Sequence, residues 1–400
     1  MPALLCGALW ASLVGYLLSR ALRQFRAHRA TVLVPASQVS PPPALPIPTG
    51  SIPTVSIIVP ARNEIDNIAA CLARLTRQAG LAPRSSIIVV DDGSEDGTAA
   101  AVERQIERGG PITLVAAGPL PDGWVGKPHA CWQGAMLAEA PWLCFIDADV
   151  SPNPRLLATA VAAAEVLQID MLSLHPFQQL GSFWERLVIP AGLLIIACAK
   201  EVDTANGSAD ANGQFILIKR DVYFRVGGHA AVGSEICEDR ALAVRVERAG
   251  YRFRVLAAEH LATTRMYRDL SSLWEGLSKN AIEILGSSAA TMTAAAIGML
   301  VGWAALLLPI AIAAAILPHP SAAQLTGFGL TLAGSAIVLG VQFGTARHFR
   351  IPAVFGVLTP CGHTAAAVLA CHSFLLRRGG GVTWKGRRYD FHRKPSERGC

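Results

Sequence analysis

Long uncharged segments at both ends of the chain are the feature that most restricts its fold. Residues 3–18, 289–317 and 325–344 contain no Asp, Glu, Lys or Arg. Segments of this kind predict membrane helices, because a chain in lipid must satisfy its backbone polar groups internally. The composition agrees, since 52% of the residues are hydrophobic and only 16% are charged, which is too apolar for an ordinary soluble domain. The sequence therefore predicts a membrane-associated chain.

Basic residues set the predicted orientation of the first segment. Arg20, Arg23, Arg26 and Arg29 follow it, and by the positive-inside rule the chain after them is cytoplasmic. A cleaved signal peptide is the alternative, but its charges would precede the apolar stretch. We interpret residues 1–30 as an uncleaved anchor in a bacterial inner membrane, followed by a cytoplasmic catalytic part of a multi-pass protein.

Cysteine usage and net charge exclude several classes of protein. The nine cysteines form no C-x-x-C pair, which indicates reduced thiols and not a disulfide framework or a zinc site. The net charge of +6 comes from basic residues near the expected membrane edges, where they favour a lipid bilayer as partner. Nucleic acid is not expected as a partner, because the arginines do not form a stripe interleaved with aromatic residues.

The C-terminal apolar segments, residues 289–376, raise a conflict of topology. The third of them, residues 351–376, is interrupted by Pro352, Pro360 and Gly362. If all three segments crossed the membrane, the basic tail at 377–400 would lie outside, against the positive-inside rule. We predict that two segments span and that the third is a re-entrant or interfacial hairpin. Residues 187–199 are too short to span comfortably and indicate a core helix or an interfacial segment.

The middle of the chain alternates between strand and helix patterns. A proline-rich stretch at 31–54 predicts an extended linker, and residues 55–280 form the expected catalytic domain. Strands are predicted at 55–59, 86–90, 112–115, 142–146 and in 213–220, and helices at 67–78, 99–107 and 129–139. This alternation predicts a mostly parallel sheet with helices on both faces, whose ligands bind beyond the carboxyl ends of the strands.

Pairs of acids follow two of these strands. Asp91 and Asp92 end one strand, and Asp147 and Asp149 end another in an Asp-x-Asp pattern. Residues i and i+2 of an extended chain point the same way, so Asp147 and Asp149 can face one ligand. Two carboxylates so close require either a bound cation, for which Mg²⁺ or Mn²⁺ is suitable, or a shared proton. A third pair, formed by Glu238 and its neighbour at 239, opens a helical pattern, where the helix dipole alone would also favour acids.

Taken in order, these motifs resemble the family 2 glycosyltransferases with the GT-A fold. The segments that carry the resemblance are VPARNE (59–64), VDDGS (90–94), GWVGKPHA (123–130), DADV (147–150), GQFILIKRDVYFRVGG (213–228), CEDRAL (237–242) and VTWKGRRY (382–389). The chain is most similar to membrane-bound members that glycosylate lipids, such as ceramide glucosyltransferases and hopanoid- and carotenoid-associated transferases. The resemblance implies an α/β fold with a Rossmann-like mixed sheet, in a cytoplasmic GT-A domain between N-terminal and C-terminal transmembrane helices.

The resemblance also implies roles for individual residues. It implies that the nucleoside of a sugar nucleotide, most simply a UDP-sugar, is held by Pro60, Glu64, Asp91 and Asp92. Asp147 is expected near the ribose and the metal, Asp149 on the metal itself, and Asp239 is expected to be the general base. Acceptor contacts are expected from Gln214, Glu238 and Trp274.

Three of these assignments have alternatives. Lys127 is expected to assist the diphosphate, and a surface loop lysine is equally compatible with its sequence. Trp274 is all that remains of the Gln/Arg-x-x-Arg-Trp motif of processive synthases and ceramide glucosyltransferases, and it also suits a membrane interface. The tail motif at 382–389 is expected to bind either anionic head groups, which its charge favours, or the nucleotide diphosphate, which the resemblance favours.

The sequence thus predicts an inverting glycosyltransferase that moves one sugar from a nucleotide-sugar donor to a membrane lipid acceptor of hopanoid, carotenoid or glycolipid type, with a divalent metal. One alternative is a processive polysaccharide synthase, which the degraded Trp motif disfavours. The other is an inactive membrane scaffold with the same fold, which the presence of acids at all three positions disfavours.

Overall fold

The structure is a computed structural model that describes residues 1–33, 52–199, 211–284, 287–317, 320–379 and 381–390. Its residues group into two compact units. The helical unit consists of Met1–Ala27, Leu180–Val202 and Tyr267–Trp384. The sheet unit consists of His28–Gln179, Asp203–Met266 and Lys385–Cys400. Within the expected domain at 55–280, the described residues 180–199 and 267–280 group with the apolar helices, and residues 385–390 of the tail group with the sheet.

Helices and strands alternate through most of the sheet unit, whereas the helical unit consists mainly of helices. The helices are α1 (Pro2–Ala30), α2 (Ile68–Leu75), α3 (Thr98–Glu107), α4 (Gly126–Met136), α5 (Leu156–Val166), α6 (Phe183–Ala199), α7 (Arg220–Arg225), α8 (Glu238–Arg248), α9 (Leu270–Ile284), α10 (Ser288–Ile316), α11 (Ala322–His348) and α12 (Val354–Arg378). The strands are β1 (Val55–Ala61), β2 (Ser86–Asp91), β3 (Ile112–Ala116), β4 (Trp142–Ile146), β5 (Val150–Pro152), β6 (Met171–His175), β7 (Phe177–Gln178), β8 (Phe215–Lys219), β9 (Phe253–Ala257), β10 (Ala262–Thr264), β11 (Gly381–Trp384) and β12 (Arg387–Asp390).

A mixed sheet forms the centre of this unit. In the described residues it has seven strands in the order β3-β2-β1-β4-β8-β6-β9. Successive residues of β1 face opposite sides, so that Ile57 and Val59 pack in one hydrophobic core and Ile58 packs in the other. A strand buried on both faces explains the continuous apolar runs in the sequence.

Strand β8 departs from the parallel pattern that the sequence predicts. It runs antiparallel to both β4 and β6, with Ile146 paired to Phe215. The start of β8 therefore lies beside the end of β4. This arrangement brings the residues just before β8 to the same edge of the sheet as the acids that follow the parallel strands.

The chain joins the sheet before the proline-rich stretch. The backbone N of Leu33 donates to the carbonyl of Ala257 at 2.7 Å, and the N of Ala257 donates to Thr31 O at 3.0 Å. Leu33 is also part of the hydrophobic core. The expected linker at 31–54 thus begins with residues that belong to the sheet, and its residues 34–51 lie outside the described part of the chain.

Four helices in the described residues are long and apolar enough to cross a membrane, namely α1, α10, α11 and α12. Helix α12 continues through Pro360, so the expected hairpin at 351–376 is wrong in shape. Helix α12 packs against α6, α9, α10 and α11 of the helical unit. It is more buried than the other three candidates, since 44% of its apolar stretch is buried, against 17–22% of theirs. Packing thus maintains a helix that Pro360 and Gly362 would otherwise interrupt.

Glycines allow the helices of this unit to pack closely. A Cβ at Gly7 of α1 would overlap the carbonyl of Gly327 in α11, and a Cβ at Gly362 of α12 would overlap the carbonyl of Leu187 in α6. Small residues at such contacts are typical of helices associated in lipid. Helix α6 also receives a cation at its C-terminus, where Arg20 donates to the carbonyls of Cys198 and Ala199.

Candidate active site

The carboxyl ends of β1 and β2 carry the first group of acids. Asp91 ends β2, pairs in register with Ala61 and accepts a hydrogen bond from the hydroxyl of Ser94. Asp92 is only 5% exposed, and its backbone N donates to Ala61 O at 2.8 Å. Glu64 lies in the loop after β1. The two strand ends thus bring these acids to one edge of the sheet, as the sequence predicts, and their role as nucleoside contacts stays a prediction, as does that of Pro60.

Lys127 lies between two acids, and not on an open loop. From the first turn of α4 its Nζ approaches Asp147 Oδ1 at 2.8 Å and Glu238 Oε1 at 3.2 Å, and it lies 3.4 Å from the carbonyl of Gly213. Although burial lowers the pKa of Lys127, the two carboxylates raise it well above its usual value. The lysine is therefore charged, and it joins α4, the end of β4 and the start of α8.

Asp149 is the least satisfied acid of the site. Its Oδ1 is buried without a hydrogen-bond partner among the described residues. Burial, followed by the charges of Asp147 and Glu64, raises the pKa of Asp149 to about 7. Burial also raises the pKa of Asp147, against the opposing effect of Lys127. A carboxylate in this condition needs either a proton or a cation.

Asp147 and Asp149 fit a divalent cation whose remaining ligands come from water and a bound substrate. No group of three His, Cys, Asp or Glu side chains that could hold a metal by itself occurs in the described residues. Mg²⁺ and Mn²⁺ accept such sites, because they are commonly bound by one or two carboxylates and complete their shell with water and substrate phosphates. The unpaired oxygen of Asp149, with Asp147 beside it in sequence, suits this mode.

Asp239 lies in the first turn of α8, next to the site formed by β4 and β8. Its Oδ2 accepts from the backbone N of Gly213 at 2.7 Å, and its Oδ1 accepts from the N of Arg240 at 2.8 Å. Burial, followed by the charge of Glu238, raises the pKa of Asp239 to about 6. A half-buried carboxylate with a pKa near neutrality is suited to accept a proton during a reaction.

A network of neutral polar side chains lies beside this acid. Asn212 Nδ2 donates to Gln214 Oε1 at 2.9 Å and lies 3.1 Å from His175 Nδ1. Gln178 Nε2 donates to the same Gln214 oxygen at 3.2 Å, and Gln214 Nε2 donates to Thr264 at 3.3 Å. Of this network the sequence predicted only Gln214, since its members come from three stretches that are distant along the chain, 175–178, 212–214 and residue 264. Amide and hydroxyl groups in this number suit a ligand with hydroxyls.

Trp274 belongs to the helical unit. Its indole Nε1 donates to His372 Nδ1 of α12 at 3.1 Å, and Ser278 Oγ lies 3.0 Å from the same nitrogen. The expected contact of Trp274 with an acceptor stays a prediction. Two cations of the tail, Lys385 and Arg387, contact the first group of acids instead, which sequence reasoning missed because about 300 residues separate them.

The order of strands in the sheet is that of the GT-A fold. The mannosyltransferase PcManGT from Pyrobaculum calidifontis, solved in complex with GDP-Man and Mn²⁺, shares this fold with a TM-score of 0.51 at 20% identity, over 92% of this chain and 99% of that one. Residues 56–189 match the family described as Glycosyl transferase family 2. The chain thus carries a family 2 glycosyltransferase domain and is a glycosyltransferase.

Curated bacterial relatives extend the similarity beyond that domain. The 4,4'-diaponeurosporenoate glycosyltransferase of Staphylococcus aureus (strain MRSA252) is 26% identical over 361 residues, which cover 85% of this chain and 89% of the relative. The enzyme of the same name from Staphylococcus haemolyticus (strain JCSC1435) is 27% identical over 233 residues, covering 57% of this chain and 60% of the relative. The fold and family predicted from the motifs are confirmed by these matches.

Proposed function

We propose that this chain is a membrane-bound inverting glycosyltransferase that moves one sugar from a nucleotide-sugar donor to a membrane lipid. The observation that carries the proposal is the convergence of three acidic groups at one edge of the sheet, in a chain whose described residues include four helices long enough to span a bilayer. The similarity to the Staphylococcus enzymes, named for glycosylation of 4,4'-diaponeurosporenoate, supports a carotenoid-type acceptor.

The reaction is a single displacement at the anomeric carbon. The acceptor oxygen forms a bond to that carbon while the bond to the diphosphate oxygen breaks, and Asp239 takes the proton of the acceptor hydroxyl. The hydrogen bonds from Gly213 N and Arg240 N hold the carboxylate of Asp239 in place. We assign to Gln214 a contact with the acceptor, and to Glu238 a supporting role there, since it is buried beside Lys127.

The donor is proposed to bind along the carboxyl edge of the sheet. Its nucleoside lies by Pro60, Glu64 and the Asp91–Asp92 pair, whose oxygens accept hydrogen bonds from base and ribose. Asp149, assisted by Asp147, would hold a divalent cation, Mg²⁺ or Mn²⁺, which when bound neutralises charge on the leaving diphosphate. UDP is our expectation for the nucleotide, and GDP is the alternative to be assayed.

The connectivity of the sheet unit supports a specific topology. The chain leaves this unit at residue 266 and returns at residue 385, so both points lie on the same side of a membrane. An even number of crossings must lie between them. We propose that α10 and α11 cross, that the continuous helix α12 lies at the membrane interface without crossing, and that the sheet unit is cytoplasmic at a bacterial inner membrane, because basic residues follow α1.

Reporter fusions check this topology. A green fluorescent protein after residue 400 is expected to fluoresce, and alkaline phosphatase inserted between α10 and α11 is expected to be active, since the first folds in the cytoplasm and the second outside it. A fusion after residue 350, between α11 and α12, serves as a cytoplasmic control. A green fluorescent protein that stays dark after residue 400, together with an alkaline phosphatase that is active when fused at the same point, would contradict the proposed even number of crossings.

Transfer of labelled sugar checks the proposed function directly. Membranes that contain the protein are incubated with labelled UDP- and GDP-sugars, with Mn²⁺ or with a chelator, and lipids are extracted into organic solvent. We expect label in the lipid phase that depends on the protein and on the metal. Label in an insoluble polymer would instead identify a processive synthase, and absence of both nucleotide binding and transfer would support the inactive scaffold.

A further inference from the structure

Two cations of the C-terminal tail pair with two of the acids assigned to the nucleoside. Lys385 Nζ forms an ion pair with Glu64 Oε1. Arg387 Nη1 lies 2.5 Å from Asp92 Oδ2, and its Nη2 lies 3.4 Å from the carbonyl of Asp92. The same short segment therefore contacts the loop after β1 and the loop after β2.

The backbone fixes this segment on the sheet unit. Lys385 Nζ donates to the carbonyl of Arg62 at 2.9 Å, and Arg62 Nε donates in return to the carbonyl of Lys385 at 3.1 Å. Arg62 Nη1 also donates to Asp92 O at 2.5 Å. Lys385 and Gly386 both have positive φ, 46° and 78°, as in the tight turns of hairpins, and this turn presents Lys385 and Arg387 to the acids.

The two ion pairs are partly withdrawn from water. The side chains of Asp92 and Glu64 are 7% and 15% exposed, and those of Lys385 and Arg387 are each 27% exposed. A carboxylate as buried as that of Asp92 is destabilised when its partner is removed. Gly126 leaves room for the pair, because a Cβ there would overlap Asp92 Oδ2 and lie 2.7 Å from Arg387 Nη1.

This arrangement argues against a lipid head group as the partner of Lys385 and Arg387. Both cations are already engaged by carboxylates of the sheet unit. A carboxylate, however, has two oxygens with about four lone pairs, so Glu64 and Asp92 can each hold a tail cation and still accept a hydrogen bond from a ligand.

We propose that Lys385 and Arg387 are positioning residues of the donor site, which hold the carboxylates of Glu64 and Asp92 in the orientation that receives the nucleoside of the donor. The inference rests on the proposed function, since it assigns a further part of the same site. Lys385 and Arg387 thereby support carboxylates that lie 321 and 295 positions earlier in the chain.

The test compares Arg387→Ala and Lys385→Ala with the wild-type chain. The dissociation constant for UDP and for GDP is measured with Mn²⁺ in detergent, and kcat and KM are measured for the donor that transfers. We expect each variant to raise the dissociation constant and the donor KM by about tenfold or more, as loss of a supporting contact typically does. The kcat at saturating donor and the KM for the lipid should stay within about twofold, because the reacting groups are untouched.

Matched variants separate positioning from a structural role. Arg387→Lys keeps the charge but loses the second contact, so its donor affinity should fall between those of wild type and Arg387→Ala. If Arg387→Ala does not fold, the donor affinity of Arg387→Lys tests the proposal by itself. Arg77→Ala, which removes an exposed arginine of the same unit, should leave donor affinity unchanged.

Three outcomes would overturn the inference. The first is unchanged donor affinity in all the tail variants, and the second is a fall in kcat with donor KM unchanged. The third is a loss of binding to phosphatidylglycerol vesicles without loss of donor affinity, which would assign Lys385 and Arg387 to the membrane. A wild-type chain that binds neither nucleotide would instead refute the proposed function, so the two failures are distinguishable.

Discussion

Replacing Asp239 by Asn is expected to reduce sugar transfer by about 10² to 10⁴-fold, the usual contribution of a general base. The amide of Asn cannot take the proton from the acceptor hydroxyl, but it has the size of the carboxylate and its carbonyl oxygen can still accept the hydrogen bond from Gly213 N at 2.7 Å, while the one from Arg240 N is lost. The shape of the site is therefore retained. The measurement is the rate of lipid-extractable label at saturating donor, together with the dissociation constant for the nucleotide, which should change by less than about threefold.

The pH dependence provides a second readout for Asp239. Burial and the neighbouring Glu238 raise its pKa to about 6, and the base works only when deprotonated. The wild-type rate should therefore increase as the pH rises through about 6 and level off above it, while the residual rate of Asp239→Asn should lack this step. Transfer that survives the substitution would remove Asp239 as the base, and Glu238→Gln would be the next variant to assay.

Replacing Asp149 by Asn is expected to abolish metal-dependent donor binding. Its Oδ1 is buried without a hydrogen-bond partner among the described residues, and a neutral amide is a far weaker ligand for Mg²⁺ or Mn²⁺ than a carboxylate. The measurement is the rise in Tm on adding Mn²⁺ with UDP or GDP, which should be present in the wild type and lost in the variant. Glu103→Gln, which neutralises an exposed carboxylate of α3, is the matched control.

Protons should compete with the metal at Asp149. Because burial and the charges of Asp147 and Glu64 raise the pKa of Asp149 to about 7, the carboxyl is protonated below that pH. Metal affinity should thus weaken as the pH falls through about 7 and strengthen above it. Equal donor affinity in wild type and variant, with and without Mn²⁺, would count against this residue as a metal ligand.

Much of the sheet could be predicted from the sequence because its strands are buried on both faces. The runs at 55–59 and 86–90 are apolar apart from one serine each, and β1 and β2 begin where these runs predict. Acids placed directly after such strands were predictable site residues, since the carboxyl ends of parallel strands meet at one edge. Strand β8 has the same composition, so its antiparallel direction could not be read from its residues.

The parts that the sequence did not predict depend on contacts distant along the chain. The polar network around Gln214 joins three stretches that are distant along the chain, and an Asn, Gln, His or Thr taken singly in a sequence gives no sign of such a network. The basic tail was favoured as a head-group site because charge composition does not say which anions a cation meets. Helix α12 was expected to break at Pro360, and packing in the helical unit outweighs that local preference.

The ion pairs of the tail also have a consequence for biogenesis. Lys385 and Arg387 lie 321 and 295 positions beyond their partners Glu64 and Asp92. At about 5–20 residues per second, a ribosome needs roughly 15 to 65 s to synthesise the chain between them. During that time Glu64 and Asp92 of the nascent chain lack these two cations, which are synthesised only after helices α10, α11 and α12. The proposed donor site thus gains these two cations only after residues 385–387 have been synthesised, so a chain that terminates before them would lack both ion pairs.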